Sequence, residues 1–229
     1  MDFKKLLIKY NGSNLPENFI GITTLIVNKK PVHAGILIRY KNQDFLHHYP
    51  GGTCPPEVEE NFNPSNGNWY IYKVADFINE DENEVAAFLS YCKRICRNSK
   101  ISYGYITDNS RYDITGKFIS NSSLPEIGTC VGFCINTIAG FMIDLQGGLF
   151  ELDDWDDSDI PAFYDFESQE RTKIQYPKMD WELYNLFKKR ITPLEYLCSS
   201  FLSSFPIRKK EVQTLIPIIQ DIINQKVAS

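Results

Sequence analysis

Apolar and β-branched positions in the first third of the chain predict a sheet. Residues 19–27 are rich in β-branched side chains, and residues 32–40 and 45–49 follow after short polar turns. Residues 69–74 form a further segment with an aromatic face. Apolar runs bounded by turn residues are typical of strands. The pattern therefore predicts a sheet in which the second and third segments form a β-hairpin.

Apolar residues at helical spacing predict several helices in the rest of the chain. The clearest case is residues 81–97, where apolar side chains recur three or four positions apart. Residues 54–67 are expected to form an irregular connection, and residues 171–176 one more strand. The other expected helices are residues 130–145, ended by Gly147 and Gly148, and residues 181–189, 193–205 and 209–226, the last with a kink at Pro217.

These elements predict an α+β fold. The expected organisation is a core domain over residues 1–177 and a helical C-terminal extension over residues 178–229 that packs on it. The extension is interpreted as a buttress for the core, or alternatively as a surface that binds a protein partner or gates the substrate. The acidic run at residues 151–159 lacks the central glycine of an EF-type calcium loop. It is expected to be a solvated loop, or one that repels anionic substrates from a nearby cleft.

Composition narrows the classes of function. The formal net charge of the 229 residues is −5 and no long basic run occurs, so nucleic acid is not an expected partner. No uninterrupted apolar stretch is long enough for a membrane span. The N-terminal segment has too short an apolar run for a secretory signal. The expected location is the cytoplasm, with delivery by a specialised secretion system left open.

The six cysteines are expected to be free thiols rather than a disulfide framework. The paired knuckle turns of a structural zinc site are missing, and neither a metal nor an organic cofactor is expected. Cys130 is distinctive because it opens the expected apolar helix between Gly128 and Gly132. A helix N-terminus favours a thiolate, and its N–H groups can stabilise an oxyanion.

The three histidines, His33, His47 and His48, all lie within the predicted hairpin. A nucleophilic thiol needs an imidazole base that is oriented by a third polar group. We therefore predict Cys130 as the nucleophile and His33 as the general base. Because successive strand residues face opposite sides, one of His47 and His48 shares the face of His33.

The segment Cys130-Val131-Gly132-Phe133 resembles the Asp-Cys-Ser-Gly-Phe nucleophile motif of NlpC-type papain-like cysteine peptidases. The segment from His33 to Ile38, followed by Phe45-Leu46-His47, is similar to the histidine hairpin of that family. Histidine precedes cysteine here, which indicates the circularly permuted branch of the papain-like fold. That branch includes amidase-like bacterial proteins, lecithin:retinol acyltransferase-like enzymes and permuted isopeptidases. The resemblance covers residues 19–145.

The resemblance implies a permuted papain-like fold, in which an antiparallel sheet packs on the nucleophile helix. It implies that His47, which follows Phe45-Leu46, orients the imidazole of His33. It also implies that Tyr103, in a Ser-Tyr-Gly-Tyr turn, lines the site and helps to stabilise the oxyanion. Thr129 replaces the aspartate of the motif and is assigned to the same substrate and oxyanion region.

The predicted function is cysteine-dependent hydrolysis at an amide, isopeptide or related acyl carbonyl, as in a peptidase, amidase or isopeptidase. The expected partner is a peptide, isopeptide or acyl substrate. One alternative is a lipid or thioester acyltransferase of the same fold. Another is a catalytically inactive binding or immunity module.

Overall fold

The computed structural model describes residues 2–11, 15–63, 68–73, 81–142 and 148–228, and the fold is mixed α+β. The strands are β1 (Ile8–Lys9), β2 (Phe19–Val27), β3 (Lys30–Tyr40), β4 (Gln43–His48), β5 (Glu57–Glu60), β6 (Asn68–Lys73), β7 (Ser102–Tyr103), β8 (Arg111–Tyr112), β9 (Phe118–Ile119) and β10 (Ile127–Gly128). The helices are α1 (Phe3–Leu6), α2 (Glu82–Asn98), α3 (Cys130–Phe141), α4 (Ala162–Gln175), α5 (Trp181–Leu186), α6 (Pro193–Ser199) and α7 (Lys209–Ala228).

The main sheet has six antiparallel strands in the order β1-β6-β2-β3-β4-β5. Two-residue turns join its central strands. Asn28 and Lys29 connect β2 to β3, and Lys41 and Asn42 connect β3 to β4, all four with positive φ. A two-residue turn with both residues in the left-handed region matches the twist of a hairpin and fixes its register. The pairing of Tyr40 with Gln43 follows directly from the second turn.

The two faces of this sheet bury different sets of side chains. On β3, Ala34, Ile36 and Ile38 belong to the larger core, which also contains the buried residues of α2, α3, α6 and α7. The alternate residue Leu37 belongs to a smaller cluster with Trp69 on the other face. Strand side chains alternate between faces, so every residue of β3 and β4 is assigned to one side by its position.

Helix α3 begins at Cys130, as the sequence predicts. Thr129 is its N-cap, and its Oγ1 accepts the Gly132 N–H at 3.2 Å. The buried residues of the helix are mostly apolar, and Phe133 is fully buried against the rings of Tyr49 and Tyr112. The helix ends at Phe141, and the expected continuation at residues 143–145, with Gly147, lies outside the described residues.

The C-terminal helices share the main core. Tyr196 and Leu197 of α6 and Ile223 of α7 are buried in the same cluster as Ile36 of the sheet. Helix α7 contains Pro217, where a kink was expected. Helix α6 therefore packs directly against β2 and β3, and α7 packs on α6, whereas α5 belongs to a separate buried cluster. None of the helices in the described part of the chain is long and apolar enough to cross a bilayer.

Two expectations for local structure are wrong. Residues 171–175 belong to α4 rather than to a strand; its exposed face is stabilised by Glu167–Arg171 and Glu170–Lys173 ion pairs at helical spacing. Residues 57–60 form the edge strand β5 within the segment that was expected to be irregular. Tertiary pairing with β4 overrides the low strand propensity of its glutamates, whose charge suits an exposed edge.

The acidic run at residues 151–159 is paired with basic residues near the C-terminus. Arg208 makes a bidentate contact with Asp154, at 2.7 and 2.8 Å. Trp155, within the run, is buried and donates its indole N–H to Glu195 Oε1 at 3.2 Å. The run is therefore tied to the protein by ion pairs and by one buried aromatic side chain. The remaining ion pairs are Asp157–Lys188, Asp153–Lys189 and Asp159–Lys209.

Glu195 should contribute measurably to stability, because it satisfies several donors at once. Its Oε2 accepts the backbone N–H and the hydroxyl of Thr192, in a capping box, while Oε1 accepts the Trp155 indole. Glu195→Ala leaves these groups unpaired, and we expect the free energy of unfolding in urea to fall by about 1–3 kcal/mol. The control Glu170→Ala removes an exposed ion pair and should cost less than about 0.5 kcal/mol. Equal losses in the two variants would contradict this account.

Candidate active site

Cys130 lies against the backbone of β3. The backbone N–H groups of Ala34 and Val131 lie close enough to its sulfur to lower its pKa. Ala34 lies beyond the last pairing of β3 with β4, Ile36 with His47, so the N-terminus of α3 meets an uncovered part of the strand. The structure therefore places the sulfur beside the residue that directly follows His33.

The electrostatics of Cys130 combine opposing effects. Burial raises the pKa of the thiol, while the N–H groups of Ala34 and Val131 and the positive charge of Arg190 lower it. Burial is the larger effect, so the resting group is a protonated thiol at neutral pH. Activation of Cys130 as a nucleophile therefore requires a base that removes this proton.

His33 and His48 form a half-buried pair on the sheet face that carries Trp69. His33 Nε2 lies 2.9 Å from His48 Nδ1, and the ring of Trp69 packs edge-on against His33 with centroids 6.0 Å apart. Burial lowers the pKa of each imidazole to about 4, and for His33 the neighbouring His48 lowers it further. Both rings are neutral at pH 7.

A neighbouring charged group indicates which ring donates in the His33–His48 hydrogen bond. Glu57 Oε1 lies 3.3 Å from His48 Nε2. The two atoms make no hydrogen bond, but the negative charge of the carboxylate favours the proton on His48 Nε2, which leaves Nδ1 as an acceptor. His33 then donates from Nε2 to His48 Nδ1. We therefore assign the lone pair of His33, its basic site, to Nδ1.

His47 belongs to a different network. Thr137 donates its hydroxyl to the Phe133 carbonyl at 2.9 Å and therefore accepts from His47 Nε2, at 3.1 Å. His47 Nδ1 lies 3.4 Å from Cys96 Sγ, which can donate its proton. Burial lowers the pKa of His47 to about 3. The ring is fully buried, and both nitrogens have partners in the core.

The expected contact between His33 and His47 is therefore wrong, and His48 makes that contact instead. The pairing of Ile36 with His47 places His47 on the helix-covered face, with Ile36. A Cβ at Gly35 would lie 3.6 Å from the Cβ of His48, so His48 shares the face of Gly35 and His33. A signal for this was present in the sequence, because a two-residue turn at Lys41-Asn42 sets the register of the hairpin.

Cys130 and His33 make no direct contact in the part of the chain that the structure describes. Alternation along β3 points the side chains of His33 and Ala34 to opposite faces. Cys130 approaches at the edge of the strand, at the N–H of Ala34. In the described part of the chain no hydrogen bond joins its thiol to the His33 ring. A catalytic contact requires rotation of the Cys130 side chain, because rotation of the imidazole would break the His33–His48 hydrogen bond.

A cleft of about 380 Å³ opens beside Cys130. Tyr103 reaches it because β7 pairs with β10, which places Tyr103 beside Gly128. The Tyr103 hydroxyl lies 3.4 Å from that of Tyr105, and burial raises the pKa of Tyr103, which keeps the phenol neutral. The lining residues are Pro31, Val32, Tyr103, Tyr105, Thr129, Cys130, Val131, Pro161, Tyr164, Arg190, Ile191 and Pro193.

The predicted site residues are thus divided between two places. Cys130, Thr129 and Tyr103 line the cleft. The Thr129 hydroxyl caps α3, so its side chain serves as helix cap and cleft wall. His33 lies at the adjoining end of β3, and His47 lies in the core. Across residues 2–11, 15–63, 68–73, 81–142 and 148–228, no three potential metal-ligating side chains converge.

We expect His33 and His48 to remain neutral well below pH 6, each as the Nε2–H tautomer. Imidazole ¹⁵N–¹H correlation spectra recorded from pH 7 to 4 measure both properties. Because their folded pKa values of about 4 lie below the ordinary 6.5, the unfolded chain binds more protons within that window. The free energy of unfolding should therefore fall as pH decreases from 6.5 to 4. An Nδ1–H tautomer for His33, or ordinary titration near pH 6.5, would contradict the assignment.

Comparison with known proteins gives no match to a family model, to a curated protein or to a solved structure. The interpretation of the site therefore depends on its own geometry.

Proposed function

We propose that the chain is a cysteine-dependent hydrolase of permuted papain-like fold that acts at an amide or related acyl carbonyl. The observation that carries the proposal is the His33–His48 hydrogen bond. It lies at the end of β3 where Cys130 packs against Ala34, the residue that follows His33. In this proposal, Cys130 is the nucleophile, His33 is the base and His48 orients the base, all at the same end of the β3–β4 hairpin. The solvent-accessible cleft beside Cys130 gives a carbonyl substrate access to the sulfur.

The proposed reaction begins when His33 Nδ1 accepts the Cys130 proton. The thiolate adds to the substrate carbonyl carbon, and the carbonyl electrons move to oxygen. The Cys130 N–H at the start of α3 and the Tyr103 hydroxyl are the proposed donors to that oxyanion, because the Gly132 and Phe133 N–H groups already donate to Thr129. Collapse breaks the bond to the leaving amine, which takes the proton from His33. Water then hydrolyses the thioester, with His33 again as the base.

His48, not His47, is assigned the orienting role in this scheme. It accepts from His33 Nε2 and so holds the basic Nδ1 tautomer. Trp69 packs against the pair and shields that hydrogen bond from water. Glu57 acts through His48, and its effect should be modest because its side chain is 55% exposed.

One observation favours a second function, a binding module without catalysis. In the resting structure the Cys130 sulfur accepts backbone N–H groups, and burial holds it as a neutral thiol. A cleft of this kind can hold a peptide or acyl ligand without attacking it. The two functions differ in whether His33 controls the reactivity of Cys130.

Site-resolved alkylation by limiting iodoacetamide at pH 7 separates the two functions. The exposed Cys54 serves as an internal reference for reagent and time. The hydrolase proposal predicts that Cys130 reacts faster than Cys54. His33→Ala or His48→Ala should lower the Cys130 rate roughly 10- to 100-fold, because the thiol loses its base or the group that orients the base.

The edge strand β5 offers a matched control pair. Glu57→Gln should lower the Cys130 rate about two- to five-fold, because His48 loses its charged neighbour. Glu59→Gln removes the same charge two residues away and should leave the rate unchanged. A Cys130 that reacts no faster than Cys54 and is indifferent to His33→Ala would exclude the hydrolase and support the binding module.

A further inference from the structure

Arg190 forms the charged part of the wall of the Cys130 cleft. It directly precedes Ile191, also a lining residue, and its backbone N–H donates to the Asp156 carbonyl at 3.0 Å. Its guanidinium Nη1 donates to the backbone carbonyl of Asp159. These two contacts hold Arg190 against the acidic segment, and the residue also lines the cleft.

The carboxylates around Arg190 are paired with other cations. Lys188 contacts Asp157 and Asp165, each at 3.1 Å. Asp159 contributes its carbonyl to Arg190, whereas its carboxylate lies 4.0 Å from Lys209. In the described ranges no carboxylate lies within ion-pair distance of the Arg190 guanidinium. Arg190 therefore borders the cleft with its charge uncompensated by a direct partner.

Arg190 lines the same cleft as Cys130, the proposed nucleophile. Burial raises the pKa of both Cys130 and Tyr103, and the positive charge of Arg190 offsets a small part of that rise. No aspartate or glutamate is among the residues that line the cleft, whose other polar members are tyrosines and Thr129. The cleft is thus locally positive on a chain whose formal net charge is −5.

We propose that Arg190 is a carboxylate receptor, so that the preferred substrate is a peptide with a carboxylate close to the carbonyl attacked by Cys130. A planar guanidinium presents paired N–H groups that match the two oxygens of a carboxylate. A terminal residue or an acidic side chain beside the scissile bond supplies such a group. The cleft volume of about 380 Å³ suits a small segment of this kind. The inference rests on the proposed function and specifies its substrate class.

Two alkylating reagents that differ in charge test this proposal. Iodoacetate carries a carboxylate next to its reactive carbon, whereas iodoacetamide carries a neutral amide of similar size. Both react with the same thiolate, so any change in the pKa of Cys130 cancels in the ratio of their rates. We measure the iodoacetate-to-iodoacetamide ratio at Cys130 and divide it by the same ratio at the exposed Cys54.

The expected normalised ratio is above one in the unaltered protein and falls about five-fold or more in Arg190→Gln. Arg190→Lys keeps the charge and should retain part of the preference. Arg171→Gln is the matched control, because Arg171 lines a separate cleft and pairs with Glu167. It should leave the ratio unchanged.

An Arg190→Gln ratio equal to that of the unaltered protein, with circular dichroism showing an intact fold, would overturn the carboxylate receptor. That failure is distinct from failure of the proposed function, which is measured by the absolute iodoacetamide rate at Cys130 and its dependence on His33. If Cys130 reacts fast and depends on His33 but shows no preference for iodoacetate over iodoacetamide, the proposed hydrolase function stands and Arg190 has no role in substrate recognition.

Discussion

The register of the β3–β4 hairpin determines what each histidine can do. A two-residue turn at Lys41-Asn42 pairs Tyr40 with Gln43 and, further along, Ile36 with His47. A shift of one residue would exchange the faces of His47 and His48. In the observed register, His47 enters the core under α3 and His48 meets His33. The proposed roles of His33 and His48 depend on that pairing.

Burial determines the free-energy cost of forming charged groups at this candidate site. It favours the neutral thiol of Cys130 and the neutral imidazole of His33, because each charged form loses hydration. Forming a thiolate–imidazolium pair therefore costs free energy that oriented donors must offset. The N–H groups of Ala34 and Val131 and the charge of Arg190 act in that direction on the sulfur. A substrate carboxylate held by Arg190 would partly cancel its charge while positioning the carbonyl.

Local patterns in the sequence were enough to predict the central strands, α2 and the start of α3 at Cys130. Those features depend on apolar periodicity and on turn residues close in sequence. Prediction of His48 as the partner of His33 required a count of cross-strand pairs from the turn, whereas the family motif favoured its neighbour His47. Strand β5 could not be predicted, because its glutamates pair with β4 only through tertiary contact. Arg190 was missed because 60 residues of chain separate it from Cys130 and no local motif marks it, although both residues line the same cleft.

The pH dependence of Cys130 alkylation by iodoacetamide tests the thiol–imidazole relationship most directly. If neutral His33 removes the thiol proton as the bond to sulfur forms, the rate is level above the His33 pKa of about 4, because the thiol and the imidazole both stay in their reactive neutral forms. The account predicts that the Cys130 rate is nearly level from pH 6 to 8 and that His33→Ala restores a rise of about ten-fold per pH unit. A rate in the unaltered protein that climbs ten-fold per unit, and matches His33→Ala throughout, would contradict the account.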